Sequence, residues 1–111
     1  MVEVKEIKNQ NDFDAFVNAN NEQIHVIKIG AEWCGPCRQL STIIQNLEED
    51  KVKDVIFGEV DIESDNVDDI LTEYKVRNIP VILFIKDCQL IEKKVGLISA
   101  NDINNIIELY K

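Results

Sequence analysis

The stretch IHVIKIGAEWCGPCRQL, residues 24–40, decides how the rest of the chain is read. Its first part, IHVIKIGA (24–31), is rich in β-branched residues, apolar on both faces and too short for a helix, which predicts a central strand. Downstream, Leu40, Ile43, Ile44 and Leu47 fall at i, i+3, i+4 and i+7 and predict a helix. Pro36, with its fixed φ and missing N–H, suits the first turn of that helix. Cys34 therefore stands where a strand ends and a helix opens. A thiolate there meets unpaired backbone N–H groups and the positive end of the helix dipole, and both favour the charged form. Cys37, one turn on, lies roughly 5–6 Å away between Cβ atoms, close enough to bridge. The spacing thus allows a reversible disulfide and a dithiol with one activated member. Taken alone, Cys-x-x-Cys also fits half of a zinc site or a structural disulfide.

Composition narrows these readings. The 111 residues amount to one domain by length, 1–111, and at 45% hydrophobic and 30% charged the chain belongs to the globular class. A net charge of -9 gains nothing from phosphate backbones or anionic lipid, so neither nucleic acid nor a membrane is an expected partner. The N-terminal MVEVKEIKNQNDFD is charged from residue 3 and offers no signal core, and the longest apolar run, VILFI (81–85), is far short of a membrane span. A cytoplasmic location is expected. Three cysteines do not suit a fully paired scaffold, and in a reducing compartment cysteines are more often catalytic or metal-binding.

Outward from the motif, VEVKEI (2–7) alternates as a half-buried strand. Phe13, Phe16 and Val17 mark a helix capped by Asn11. DVIFGEVDI (54–62) reads as a buried strand, and Val67, Ile70, Leu71 and Tyr74 form another helical stripe. PVILFI (80–85) and LIEKKVG (90–96) form a hairpin across KDCQ. Ser99 and Asp102 resemble a capping box, stapled by Ile98 and Ile103, before the stripe Ile103, Ile106, Ile107 and Tyr110. The order βαβαβαββα predicts an α/β fold. Its mixed central sheet has five strands, three parallel plus a C-terminal antiparallel hairpin, and four helices flank it.

A strand, Trp-Cys-Gly-Pro-Cys and a helix together resemble the thioredoxin family, and the likeness extends through AEWCGPC, VRNIPVILF and KVGLIS over nearly the whole chain. The resemblance implies the thioredoxin fold and a protein-disulfide reductase without cofactor or metal. It would act as a monomer on disulfide-containing proteins and be recycled by a thioredoxin reductase. It makes Cys34 the exposed nucleophile and Cys37 the resolving thiol. Pro80 becomes a cis-proline facing them, and Ile79 offers backbone groups to an extended peptide. Trp33, Gly35, Pro36, Val76 and Gly96 complete the substrate groove. No histidine lies between the cysteines to stabilise the thiolate, which favours reduction over disulfide formation.

The match departs from the family at five positions. Lys28 stands where the family has a buried aspartate, and Glu59 where it has a lysine, so the acid–base pair has its charges exchanged. The pair would move a proton with Glu59 as base, Lys28 would stabilise the Cys37 thiolate, or Lys28 would merely snorkel to water. Gly30 replaces a common aromatic and is expected to open space beside the dithiol, and Thr42 replaces a helix-kinking proline. Cys88 replaces a hairpin glycine, which limits the turn type. Other readings remain at this stage: a zinc site completed by Cys88 and His25, an ordinary trans Pro80, and a thioredoxin-fold binding module with an incidental dithiol. His25 and Cys88 otherwise read as a structural residue and a surface thiol.

Overall fold

The computed structural model describes residues 1–111. The elements run β1 (Val4–Ile7), α1 (Gln10–Asn18), β2 (Ile24–Gly30), α2 (Gly35–Gln45), a 3-10 turn (Glu49–Lys51), β3 (Val55–Asp61), α3 (Asp68–Glu73), β4 (Val81–Lys86), β5 (Gln89–Val95) and α4 (Ala100–Tyr110). The five strands lie in the order β1-β3-β2-β4-β5. β1, β3 and β2 are parallel, whereas β4 runs antiparallel to β2 and β5 antiparallel to β4. This is the thioredoxin fold. No helix is long and apolar enough to cross a membrane.

Strand alternation sends side chains to two cores. On one face Ile27, Ile29, Leu83 and Ile85 pack against Phe13, Phe16 and Val17 of α1 and Ile70 of α3. On the other, Val26, Phe57, Ile82 and Phe84 pack against Leu40 and Ile44 of α2 and Ile103 and Ile107 of α4. β2 and β4 are covered on both sides, which is why their sequences read as nearly continuous apolar runs.

Local differences from expectation have local causes. The cap of α1 is Asn9, not Asn11: its Oδ1 accepts from the Asp12 amide at 2.8 Å, while Asp12 Oδ2 accepts from the Lys8 amide at 3.0 Å. β1 starts at Val4 because the Val2 amide donates to the Gln45 carbonyl at the end of α2 instead of to the sheet. Ser99 caps α4 as expected, accepting from the Asp102 amide at 3.1 Å. Asp87 and Cys88 form the two-residue β4–β5 turn with φ of 54° and 63°, the positive values that favour glycine. Both positions take this left-handed conformation without glycine. The Asp87 amide donates to the Asn21 carbonyl at 2.7 Å, and the Cys88 thiol reaches Asn18 Oδ1 at 3.2 Å, so contacts with the end of α1 hold the turn.

Candidate functional site

β2 delivers the chain through Ala31, Glu32 and Trp33 to α2, and Cys34 is the N-cap of that helix. Its Sγ accepts from the Cys37 amide at 3.2 Å, so the sulfur occupies the place that a capping oxygen usually takes. Gly35 and Pro36 supply the first turn, where a missing N–H leaves no bond unmade. Cys34 and Cys37 are joined as a disulfide with their Cα atoms 5.2 Å apart. Cys34 is less exposed than the resemblance implies, at 7% against 1% for Cys37. The two sulfurs pack with Ala31 in a small apolar cluster against Ile62 and Ile79, which covers all but one edge of Cys34.

The expected groove residues come together from three parts of the chain. Trp33, Val76 and Ile79 line one shallow cavity of about 380 Å³, together with Ile62, Leu71 and Arg77. The Ile79–Pro80 bond is cis, and the Gly96 amide donates to the Pro80 carbonyl at 2.7 Å, with Gly96 at φ +93°. That positive φ is why glycine fits at position 96. Gly35 and Pro36 border the dithiol from the helix side and do not line this cavity. Trp33 is 65% exposed and is held by a hydrogen bond from its Nε1 to Glu63 Oε1 at 2.9 Å.

Below the dithiol lies a second cavity of about 480 Å³, walled by Gly30, Ala31 and Cys37 and floored by Lys28, Ser41 and Glu59. Lys28 does not snorkel clear of the sheet. Its side chain is 11% exposed, its Nζ donates to Ser41 Oγ, and it lies 3.4 Å from Glu59 Oε2. Register explains the meeting: Glu6 pairs with Glu59 across β1 and β3, and Glu59 with Lys28 across β3 and β2. One polar row thus crosses three strands on the α2 face of the sheet. Glu59 stands in the middle of that row, beside Glu6 on one side and ion-paired with Lys28 on the other, and at 43% exposed it gives the pair its contact with solvent.

Gly30 has not opened space toward the sulfur. A Cβ added at Gly30 would lie 2.8 Å from Cys37 Sγ, so Cys37 is seated against the bare backbone of β2. Gly30 instead borders the cavity over the polar row. Sequence reasoning missed Ser41, Glu6 and Glu63, none of which carries a local signal; each acts through a partner far along the chain.

His25 and Cys88 do not approach the dithiol. His25 is fully buried at the opposite end of β2, its ring nitrogens 2.9 Å from the Ala19 carbonyl and 3.1 Å from that of Gln23. Cys88 lies in the hairpin turn near Asn18. A zinc site built from these two with Cys34 and Cys37 is therefore ruled out by placement.

A disulfide closing the first turn of a helix, at the end of a parallel strand and beside a cis-proline loop, defines a dithiol oxidoreductase on a thioredoxin fold. The family model Thioredoxin matches residues 3–109, and the chain belongs to the thioredoxin family. It is 32% identical over 105 residues to thioredoxin of Mycoplasmoides gallisepticum, covering 95% of this chain and all of that one. To human thioredoxin it is 34% identical over 97 residues, 87% of this chain and 86% of that one. The solved structure of Fasciola hepatica thioredoxin superposes with a TM-score of 0.85 at 25% identity, covering 97% of this chain and 100% of that one. The chain is a thiol–disulfide oxidoreductase of this family.

Proposed function

We propose that the 111 residues act as one domain that reduces protein disulfides in the cytoplasm, working as a monomeric electron carrier in cellular redox homeostasis. The observation that carries this reading is the Cys34–Cys37 disulfide, with Cys34 as helix cap at the edge of an apolar groove. In the dithiol form the Cys34 thiolate attacks one sulfur of a substrate disulfide, forming a mixed disulfide and releasing one substrate thiolate, which takes up a proton. Cys37, as thiolate, then attacks Cys34 Sγ and expels the second substrate thiolate. Two electrons have passed to the substrate, and Cys34–Cys37 is oxidised. A thioredoxin reductase returns two electrons and two protons.

The groove lined by Trp33, Val76 and Ile79 holds an extended segment of the substrate, with Gly35, Pro36, Pro80 and Gly96 at its borders. Lys28 and Glu59 take the place of the usual acid–base pair. The Lys28 ammonium, held in the cavity that Cys37 walls, stabilises the Cys37 thiolate, and Glu59 passes the proton to solvent.

The test is reduction of insulin coupled to dithiothreitol or to a thioredoxin reductase with NADPH. Catalytic turnover is expected for the wild type, none for Cys34→Ser, and a trapped mixed disulfide for Cys37→Ser. Stoichiometric binding of disulfide proteins without turnover would replace this reading with that of a binding module.

A further inference from the structure

Between α3 and β4 the chain passes through Tyr74, Lys75, Val76, Arg77, Asn78 and Ile79 before Pro80, and this loop forms one wall of the groove. Its far end is tied by the Gly96 amide on the Pro80 carbonyl at 2.7 Å, and its middle by the Val76 amide on the Leu71 carbonyl at 2.9 Å. The near end follows from the last turn of α3, with the Tyr74 amide on the Ile70 carbonyl at 3.1 Å and the Lys75 amide on the Thr72 carbonyl at 3.2 Å, and one side chain ties it to the sheet. Lys93 of β5 donates from Nζ to the Tyr74 carbonyl at 2.8 Å and to the Lys75 carbonyl at 3.2 Å. These are carbonyls at the end of α3 that lack helical partners, and a cation suits the negative end of a helix. The hold falls where Lys75 turns into the left-handed region at φ +53° and sends the chain toward the groove. Lys93 pairs with Leu83 in the sheet, on the face that α3 covers, so its stem reaches the loop from a rigid base.

We propose that Lys93 is a positioning residue that fixes the groove loop and so sets affinity for a protein disulfide, while leaving the intrinsic reactivity of the dithiol unchanged. The proposal rests on the reading of Val76 and Ile79 as substrate wall. A small disulfide needs only the sulfur edge of Cys34, whereas a peptide must lie along the loop. A loop freed at its near end therefore costs binding and not chemistry.

The experiment compares wild type, Lys93→Met, Lys93→Gln and Lys93→Arg. Steady-state reduction of insulin is set beside the rate with 5,5′-dithiobis(2-nitrobenzoate), and amide exchange at Val76 is measured on each protein. Lys93→Met keeps the apolar stem and should raise KM for insulin about three- to tenfold, the range for losing a partly screened charged hydrogen bond. Its kcat and its rate with the small disulfide should match wild type, and exchange at Val76 should quicken. Lys93→Arg should recover most of the affinity, with Lys93→Gln in between. An unchanged insulin KM, or an equal loss with both disulfides, would overturn the assignment. Should wild type itself fail to turn over insulin, the proposed function falls, and exchange at Val76 still decides whether Lys93 holds the loop.

Discussion

Substituting Gly30 by alanine tests how Cys37 is seated. The added Cβ would lie 2.8 Å from Cys37 Sγ and 3.1 Å from Cys37 Cβ, closer than ordinary van der Waals contact. One of the two must yield. In the oxidised protein Sγ is tethered to Cys34 and cannot swing away, whereas in the dithiol it is free to rotate about its own Cα–Cβ bond. The crowding therefore weighs on the disulfide form. Overpacking of this kind costs about 1–3 kcal/mol. For a two-electron couple about 30 mV corresponds to 1.4 kcal/mol, so the potential should become less negative by about 20–65 mV. Equilibration against dithiothreitol or glutathione buffers measures it, read through emission of Trp33, the only tryptophan, which is expected to rise when the neighbouring disulfide is reduced. A potential that stays put, or moves to more negative values, would refute the reasoning and mean that β2 shifts to accommodate the methyl group.

Four further outcomes are expected. Lys28→Met leaves Glu59 without its ion pair, so resolution of the mixed disulfide should slow more than the first attack, and Glu59→Gln should slow it too if the carboxylate passes on the proton; unchanged stopped-flow rates in both variants would remove the pair from the mechanism. The Tyr74 phenol is pushed up to about 12, first by burial and then by Glu73 and Asp14. The fold thus favours its neutral form, giving stability that is present below about pH 10 and lost as pH rises toward 12, at most about 2–3 kcal/mol and less with solvent screening of a part-exposed ring; Tyr74→Phe should flatten that limb in urea titrations. Phe84, fully buried between sheet and α2/α4, should cost about 3–5 kcal/mol on truncation to alanine, seen as a lower denaturant midpoint at unchanged slope. Cys88→Ser should leave insulin turnover unchanged, since the turn lies at the opposite end of the sheet from Cys34.

Much of the fold was legible because each element carries its own periodicity. β2 and β4 are apolar on both faces, and α2 and α4 show a single stripe, so the βαβαβαββα order follows from spacing alone. The dithiol was legible for the same reason, since a strand, a helix start and both sulfurs fall within one short stretch. What escaped was decided by choice among equals or by distance. Asn9 and Asn11 are chemically the same cap, and only the Lys8–Asp12 bond selects the first. The Val2 amide could have extended β1, but the end of α2 takes it. Ser41 beneath Lys28, Glu63 on the Trp33 indole and Lys93 under the loop are partners 13, 30 and 18 residues or more away. Such pairs exist only once strand register is fixed. Glu6 is the clearest case: the resemblance already set Lys28 with Glu59, but Glu6 joins them only through the register of β1 on β3.

The reversed direction of β4 has a consequence for how this architecture can change. β2 ends at the rim where Cys34 sits, and an antiparallel neighbour must begin at that same rim, which is where Pro80 enters. Cys34 and the loop that ends at Pro80 are thus neighbours by strand polarity. That meeting follows from the direction of the strands and not from the number of residues between them. The opposite rim, with His25 and the Asp87–Cys88 turn, takes no part in it, and a peptide or dye grafted there rides on the protein without entering its chemistry.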